Sequence, residues 1–287
     1  MDLETSREIS RLQQVTIEDT YDRKQIRTYL RDQIGTEDPY FNKLHFEVET
    51  FCINHTVTSI TPLELTTELM LTVLIIDRGP IQSVASNLAM NIDTDQVYLE
   101  KVCMCMTLLL AASGIVFDVE RTQSDAYVVI PKFKLTGPLK DYIEQKKYLP
   151  PMVTVPKKWL SNKGGGYLTR NESCVLGHNN HHEGQQATDV LNILQDIALE
   201  LDLEALSYEE TSNKVLDTDE KVKQFEHMCR ESLVVYEDIL NRGNEFYFVW
   251  KYDKRGRVYS SGYHINIQGT QYKKSIISFK RKELIEG

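Results

Sequence analysis

The residue types with the clearest chemical potential lie in one stretch, Tyr247–Lys280, YFVWKYDKRGRVYSSGYHINIQGTQYKKSIISFK. Asp253, Arg255, Gly256 and Arg257 fall together in the run DKRGR. Tyr247, Phe248, Trp250 and Tyr252 precede them, and Tyr259 and Tyr263 follow. An INIQG turn, Ile265–Gly269, and the Lys273–Lys274 pair come next. Guanidinium groups bind phosphate bidentately and stack on bases. A glycine between two arginines lets the backbone approach a ligand closely. Aromatics interleaved with cations suit single-stranded or hybrid nucleic acid. The chemistry on offer is therefore recognition of a nucleic-acid backbone and its bases. The same pattern also fits a solvated hairpin with ordinary surface charge.

Charge is distributed unevenly around this stretch. Residues 251–287 hold 9 Lys/Arg and 3 Asp/Glu, a net +6, whereas the whole chain is −9, so residues 1–250 carry −15. A basic segment on an acidic body is a polarised electrostatic footprint. The overall acidity argues against indiscriminate duplex binding. The 287 residues suffice for one large or two ordinary domains with a substantial core. The opening MDLETSREIS is polar and acidic, so no signal or transit peptide is expected. The longest apolar run, Val97–Phe117, contains Glu100 and Lys101 and reads as a buried helix. A membrane span needs ~20 residues nearly free of charge, so no membrane association is expected. Five cysteines (52, 103, 105, 174, 229) form no CxxC, and the odd count fits a reducing cytoplasm better than a disulfide framework.

The elements that must position the basic stretch are mostly helical. Helices are predicted around 4–15 and 17–34, while Tyr40–Cys52 carries no clear signal. PLELTTELMLTVLII reads as a helix opened by Pro62 at its first position and broken by Arg78-Gly79-Pro80. Ile81–Met90 is a further helix. Another is predicted from about Gln96 to Ser113, capped by Asp93, Thr94 or Asp95 and ended by Gly114. IVFDVE (115–120) and AYVVIP (126–131) alternate as the two strands of a hairpin with a polar tip, RTQSD. Gly137–Tyr148 is helical, and prolines 150, 151 and 156 then force an extended run. Gly164-Gly165-Gly166 lacks the Walker spacing, which favours a close-packing role over a phosphate cradle. Gln185–Leu206 is predicted as one amphipathic helix and Lys223–Asn241 as another, with Gly243 as its cap. Residues 207–221 read as an acidic loop. Strands are predicted at 246–252, 256–261 and near 274–280. Cys174, His178, His181 and His182 have zinc-like residue types, but four ligands on one short loop are unusual; a surface loop is expected and no metal site is assigned.

The run DKRGRVY, followed by NIQG and a lysine, resembles the DxxGR motif of the single-subunit RNA polymerases of the phage and mitochondrial type. That pattern is Asp-x-Arg-Gly-Arg-x-Tyr, then Asn-Pro-Gln-Gly, then lysine; Ile267 stands where the family usually has proline, a loss expected to loosen the turn. QSVASNLAMNI (82–92), CMTLLLAASGIV, PPMVTVPKKW…GGGYL and NILQDIALELD (192–202) are similar, in order, to further family segments. The similarity runs from about residue 70 to 285. It implies an α+β fold, mainly helical: an N-terminal helical domain over 1–150 with the hairpin 115–131, and a Pro/Gly-rich connector over 151–187. Short thumb-like helices over 188–243 follow, then the first antiparallel palm strands over 244–287.

The resemblance also implies the site. Arg255, Arg257 and Lys274 would contact template backbone or RNA–DNA hybrid, and Gly256 would permit the close turn. Asp253 would orient the arginines, and Tyr259 would stack or hydrogen-bond near the template. Arg230 aligns more loosely with a hybrid-contacting arginine and is otherwise surface charge. The family's two magnesium-binding aspartates and its fingers have no counterpart in these residues. Nucleotidyl transfer needs two Mg²⁺ about 4 Å apart on carboxylates. No catalytic residue is therefore expected on this chain, and Mg²⁺ is expected on a larger partner subunit carrying palm and fingers. The implied assembly is a DNA-dependent RNA polymerase active only as a heterodimer, like the two-chain enzymes of some phages. It would work in the host bacterial cytoplasm on a DNA template and an RNA transcript. Two alternatives are a stand-alone single-stranded nucleic-acid-binding phage protein and a structural or regulatory phage protein that inherited the fold. Promoter opening is expected to be weak: CINHTVTSIT (52–61), where the family has a basic loop, lacks Lys and Arg, and the tip Arg121–Asp125 is polar rather than an apolar wedge. A single-stranded DNA-binding protein at promoters is thus an expected partner.

Overall fold

In the computed structural model of the chain, residues 3–35, 38–76, 78–92, 96–122, 127–133, 137–177 and 184–282 are described. The architecture is mixed: helices dominate, with small antiparallel sheets. The chain divides into two units, residues 23–144 and residues 1–22 with 145–287.

The first helix, α1 (Leu3–Thr20), runs through the break expected near residue 16 and belongs to the second of these units rather than to a domain spanning 1–150. Its side chains show why. Gln14 and Glu18 are buried, at 0% and 1% exposure. Gln14 Oε1 accepts from Val153 N at 2.9 Å, and the Glu18 carboxylate accepts from Leu168 N and Thr169 N at 2.8 and 2.7 Å. Ile17 packs in a core with Val153, Leu199 and Phe246.

The unit of residues 23–144 holds α2 (Arg23–Gln33), α3 (Pro39–Asn54), α4 (Pro62–Ile76), α5 (Ile81–Asn91), α6 (Gln96–Ser113) and α7 (Gly137–Gln145). A three-stranded sheet of β1 (Gly79–Pro80), β2 (Phe117–Arg121) and β3 (Tyr127–Pro131) has the order β1-β3-β2. The stretch without a clear sequence signal is helix α3. Asp38 accepts from Tyr40 N and Phe41 N, Pro39 occupies the first turn, and Phe41, Leu44, Val48, Phe51 and Cys52 turn inward at helical spacing. Cys52, Val57 and Ile60 are all core residues, so the segment 52–61 is partly tied down by burial. In α6, Cys103, Met106, Thr107 and Leu110 are buried, but Leu108 and Leu109 are half exposed, so this helix is amphipathic rather than wholly buried. Its proposed caps 93–95 lie outside the described residues. Gly114 ends it at φ +62°. The hairpin pairs Phe117 with Pro131 through Arg121 with Tyr127; tip residues 123–125 lie outside the described residues. No helix among the described residues is long and apolar enough to cross a membrane.

The other unit adds α8 (Thr188–Gln195), β4 (Leu199–Leu201), α9 (Leu203–Leu206), α10 (Asp219–Asn241), β5 (Trp250–Tyr252), β6 (Val258–Ser260), α11 (Gln271–Ser275) and β7 (Ile277–Phe279). The single helix expected over 185–206 is instead α8, β4 and α9. Leu199 and Phe246 exchange backbone hydrogen bonds at 2.9 Å, and β4 pairs antiparallel with β7, which compensates for the lost helical bonds. Asp202 then caps α9. The three expected strands near the C-terminus do not form one sheet: β5 pairs with β6, whereas β7 pairs with β4. The described residues of the connector 151–187 pack into this unit, with Met152 and Trp159 at 0% and 1% exposure.

Candidate nucleic-acid interface

The DKRGR run forms the turn of the β5–β6 hairpin. Asp253 N donates to Arg257 O at 2.8 Å and Gly256 N to Asp253 O at 3.0 Å. The turn requires Gly256 at φ +79°, where a side chain would be strained; a Cβ there would meet open space, so the constraint is conformational. Asp253 wires the whole turn. Its Oδ1 accepts from Arg255 N and Arg257 N at 2.8 and 2.9 Å, and its Oδ2 accepts from Arg257 Nε at 2.8 Å and lies 2.6 Å from Arg257 Nη2. Burial raises the Asp253 pKa, but the hydrogen bonds and charge of Arg257 outweigh that and hold it below the usual carboxylate value. The carboxylate side chain is only 18% exposed, while the Arg255 and Arg257 side chains are 73% and 53% exposed. Arg257 also lies over the Tyr259 ring, 5.5 Å from its centroid. The turn thus presents two guanidinium groups oriented by one carboxylate, with donors still free to face a phosphate.

The INIQG turn supports the hairpin from its edge. Gln268 Oε1 accepts from Ser260 N at 3.0 Å and Gln268 Nε2 donates to Val258 O at 2.8 Å, so this side chain satisfies the outer edge of β6 as a strand would. Asn266 Nδ2 donates to Gly262 O, Asn266 Oδ1 accepts from Gln268 N, and Gly269 N closes onto Asn266 O. Ile267 packs against the core rather than leaving the turn loose.

The cations of residues 251–282 do not all face outward. Lys251 is 8% exposed and paired with Glu172. Lys273 is 7% exposed and donates to Tyr263 O at 2.8 Å; burial lowers its pKa, with Glu210 and Cys229 opposing. Lys280 and Lys282 both pair with Glu200. Lys254, Arg255, Arg257 and Lys274 are exposed. Of the adjacent lysines on α11, therefore, Lys274 is the surface group and Lys273 the structural one. Arg230 is exposed on α10, on the face opposite buried Ser232, Tyr236 and Ile239. Among the described residues no hydrogen bond or ion pair joins Arg230 to the hairpin.

Two motifs act on the hairpin from beneath. The Trp159 Nε1 donates to Gln195 Oε1 at 2.8 Å, and Trp159 N donates to Asn192 Oδ1 at 2.7 Å. Gln195 Oε1 also accepts from Trp250 N at 3.4 Å, at the root of β5. The glycine run is a seat for this tryptophan: a Cβ at Gly165 would lie 2.5 Å from Trp159 Cδ2, and one at Gly166 would lie 2.7 Å from Val249 Cγ1. Sequence spacing alone gave no sign that Asn192 and Gln195 grip Trp159. Cys174 is fully buried and burial raises its thiol pKa; His178, His181 and His182 lie outside the described residues.

No family model matches the chain, and no curated protein matches it.

Proposed function

We propose that these residues form the N-terminal, thumb and DxxGR portion of a DNA-dependent RNA polymerase of the single-subunit type. The observation that carries the reading is the Asp253-wired turn with Arg255 and Arg257 exposed on it. In this role the two arginines and Lys274 hold phosphates of template or hybrid, and Tyr259 supports Arg257. Arg230 supplies a further cation along the path. The second reading, a stand-alone single-strand binder, uses the same groups without a partner.

Bound Mg²⁺ would supply the in-line displacement at the growing RNA end. The residues of the hairpin do not fit that ion pair: Asp253 is its one carboxylate, and both oxygens are engaged by the turn and by Arg257. The aspartates that hold the metals belong, on this proposal, to polypeptide outside residues 1–287, and this chain's contribution is to position nucleic acid. Opening of duplex promoters is assigned to another factor, a single-stranded DNA-binding protein, because residues 52–61 carry no Lys or Arg.

The test is co-expression with candidate polypeptides bearing the missing aspartates, followed by run-off synthesis on linear duplex and on the same template with a mismatched bubble. The proposal expects RNA from the bubble template, at least roughly tenfold less from the duplex, and none from this chain alone. Tight strand binding with no partner that confers synthesis would favour the stand-alone reading.

A further inference from the structure

The segment joining β6 to α11 carries an aromatic feature separate from the DKRGR turn. The Tyr263 ring stacks on Tyr148, with centroids 3.8 Å apart and planes 9° from parallel. Tyr263 nevertheless remains 40% exposed. The loop that bears it is held by other means. Lys273 Nζ donates to Tyr263 O, Tyr236 Oη donates to His264 O at 3.2 Å, and Ser232 Oγ lies 3.0 Å from His264 Nδ1. Gly262 sits at φ +148°, and a Cβ there would fall 2.4 Å from Ile265 O. Lys147 is exposed, with its Nζ 5.7 Å from the Tyr148 centroid. The buried Lys273 Nζ also lies over the Tyr263 ring, 4.9 Å from its centroid, so the pre-stacked pair offers a base the outer face of Tyr148, with exposed Lys147 as the cation at its rim.

We propose that the Tyr148–Tyr263 pair is a stacking site for one unpaired nucleobase of a single strand, with Lys147 meeting that strand's phosphate. Base–aromatic stacking tolerates any base, because every base has a π-face, and a cation beside the ring serves the backbone. Rings that are already ordered lose little freedom when a base joins them. The inference rests on the nucleic-acid reading of the hairpin and adds a contact that the hairpin does not supply.

The test uses the full chain and short oligodeoxythymidylate strands in which one 2-aminopurine is walked along the sequence, beside a matching strand of abasic sites. One position should show quenched 2-aminopurine fluorescence. Tyr148→Leu should abolish the quenching and weaken the base-bearing strand roughly tenfold while leaving the abasic strand unchanged, and Tyr148→Phe should keep both. Equal affinity of the wild-type chain for base-bearing and abasic strands would overturn the stacking site, whatever the folding of the variants. Arg257→Ala separates the two ideas: it should weaken both strands alike. If it does so while no position is quenched, the stacking site fails and the hairpin reading stands; if quenching persists and Arg257→Ala changes neither strand, the hairpin reading fails and the stacking site stands.

Discussion

Among the described residues, two places set a pair of arginines on one carboxylate, and they differ in how far the arginines are enclosed. In the unit of residues 23–144, Glu68 on α4 pairs with Arg27 and Arg31 of α2. Glu68 and Arg27 are 9% and 12% exposed, and Arg27 also reaches Thr72 Oγ and the Glu68 carbonyl oxygen. There Arg27's donors point at protein, Arg31 stays half exposed at 50%, and the cluster joins two helices. In the β5–β6 hairpin, Asp253 is nearly as sheltered, but Arg255 and Arg257 stand in solvent. The same chemical set is thus a brace in one unit and a presented surface in the other. What distinguishes them is not charge but enclosure: Arg27 is sheltered against α4, whereas neither arginine of the hairpin is.

The largest difference should appear in stability. Glu68→Ala leaves Arg27 buried without its partner, which costs about 3 kcal/mol. Asp253→Ala should shift the melting midpoint far less while weakening strand binding. Equal destabilisation by the two changes, measured by chemical denaturation, would remove the contrast.

A second effect separates the hairpin's support from its surface. Burial, and next the charge of Lys273, lowers the pKa of His264 to about 4. Ser232 and the rings of Tyr148 and Tyr263 also face it. The unfolded chain therefore takes up a proton near pH 6.5 that the folded chain refuses until about pH 4. Stability should be undiminished above pH 6.5 and fall as pH drops through that window, by up to about 3 kcal/mol. His264→Gln should flatten this part of the denaturation-versus-pH curve; an unchanged slope would count against a neutral buried imidazole.

The glycines sharpen the comparison at smaller scale. Gly165→Ala forces a Cβ into Trp159 and should cost about 2 kcal/mol by overpacking, read as a lowered melting midpoint. Gly256→Ala meets no neighbour and carries only the penalty of its positive φ, about 1 kcal/mol. A reversed order would mean that the tryptophan seat is looser than its distances indicate.

Legibility in the sequence followed the range of the interactions. Local rules sufficed for α4, α5 and the β2–β3 hairpin, because Pro62 and Gly114 carry their own geometry, whereas the strand expected over 256–261 begins only at Val258 and Gly256 lies in the turn. They failed where a distant partner decides. Leu199–Leu201 has helical spacing, yet Phe246 and β7 draw it into pairing. The inner role of Lys273 depends on the loop that covers it; of the two adjacent lysines only the family resemblance singled out Lys274, and no local rule ranked them. Tyr148 stood at the end of an expected helix, with no hint that Tyr263 would meet it.

The most direct test of the proposed polymerase role is Arg257→Ala in this chain, reconstituted with a candidate aspartate-bearing polypeptide and assayed on a bubble template. Removing one charge-assisted, bidentate phosphate contact should reduce RNA synthesis roughly ten- to hundred-fold, with the melting midpoint and co-purification unchanged. Wild-type synthesis by the Arg257→Ala enzyme would contradict the account, and so would template-dependent synthesis by this chain alone.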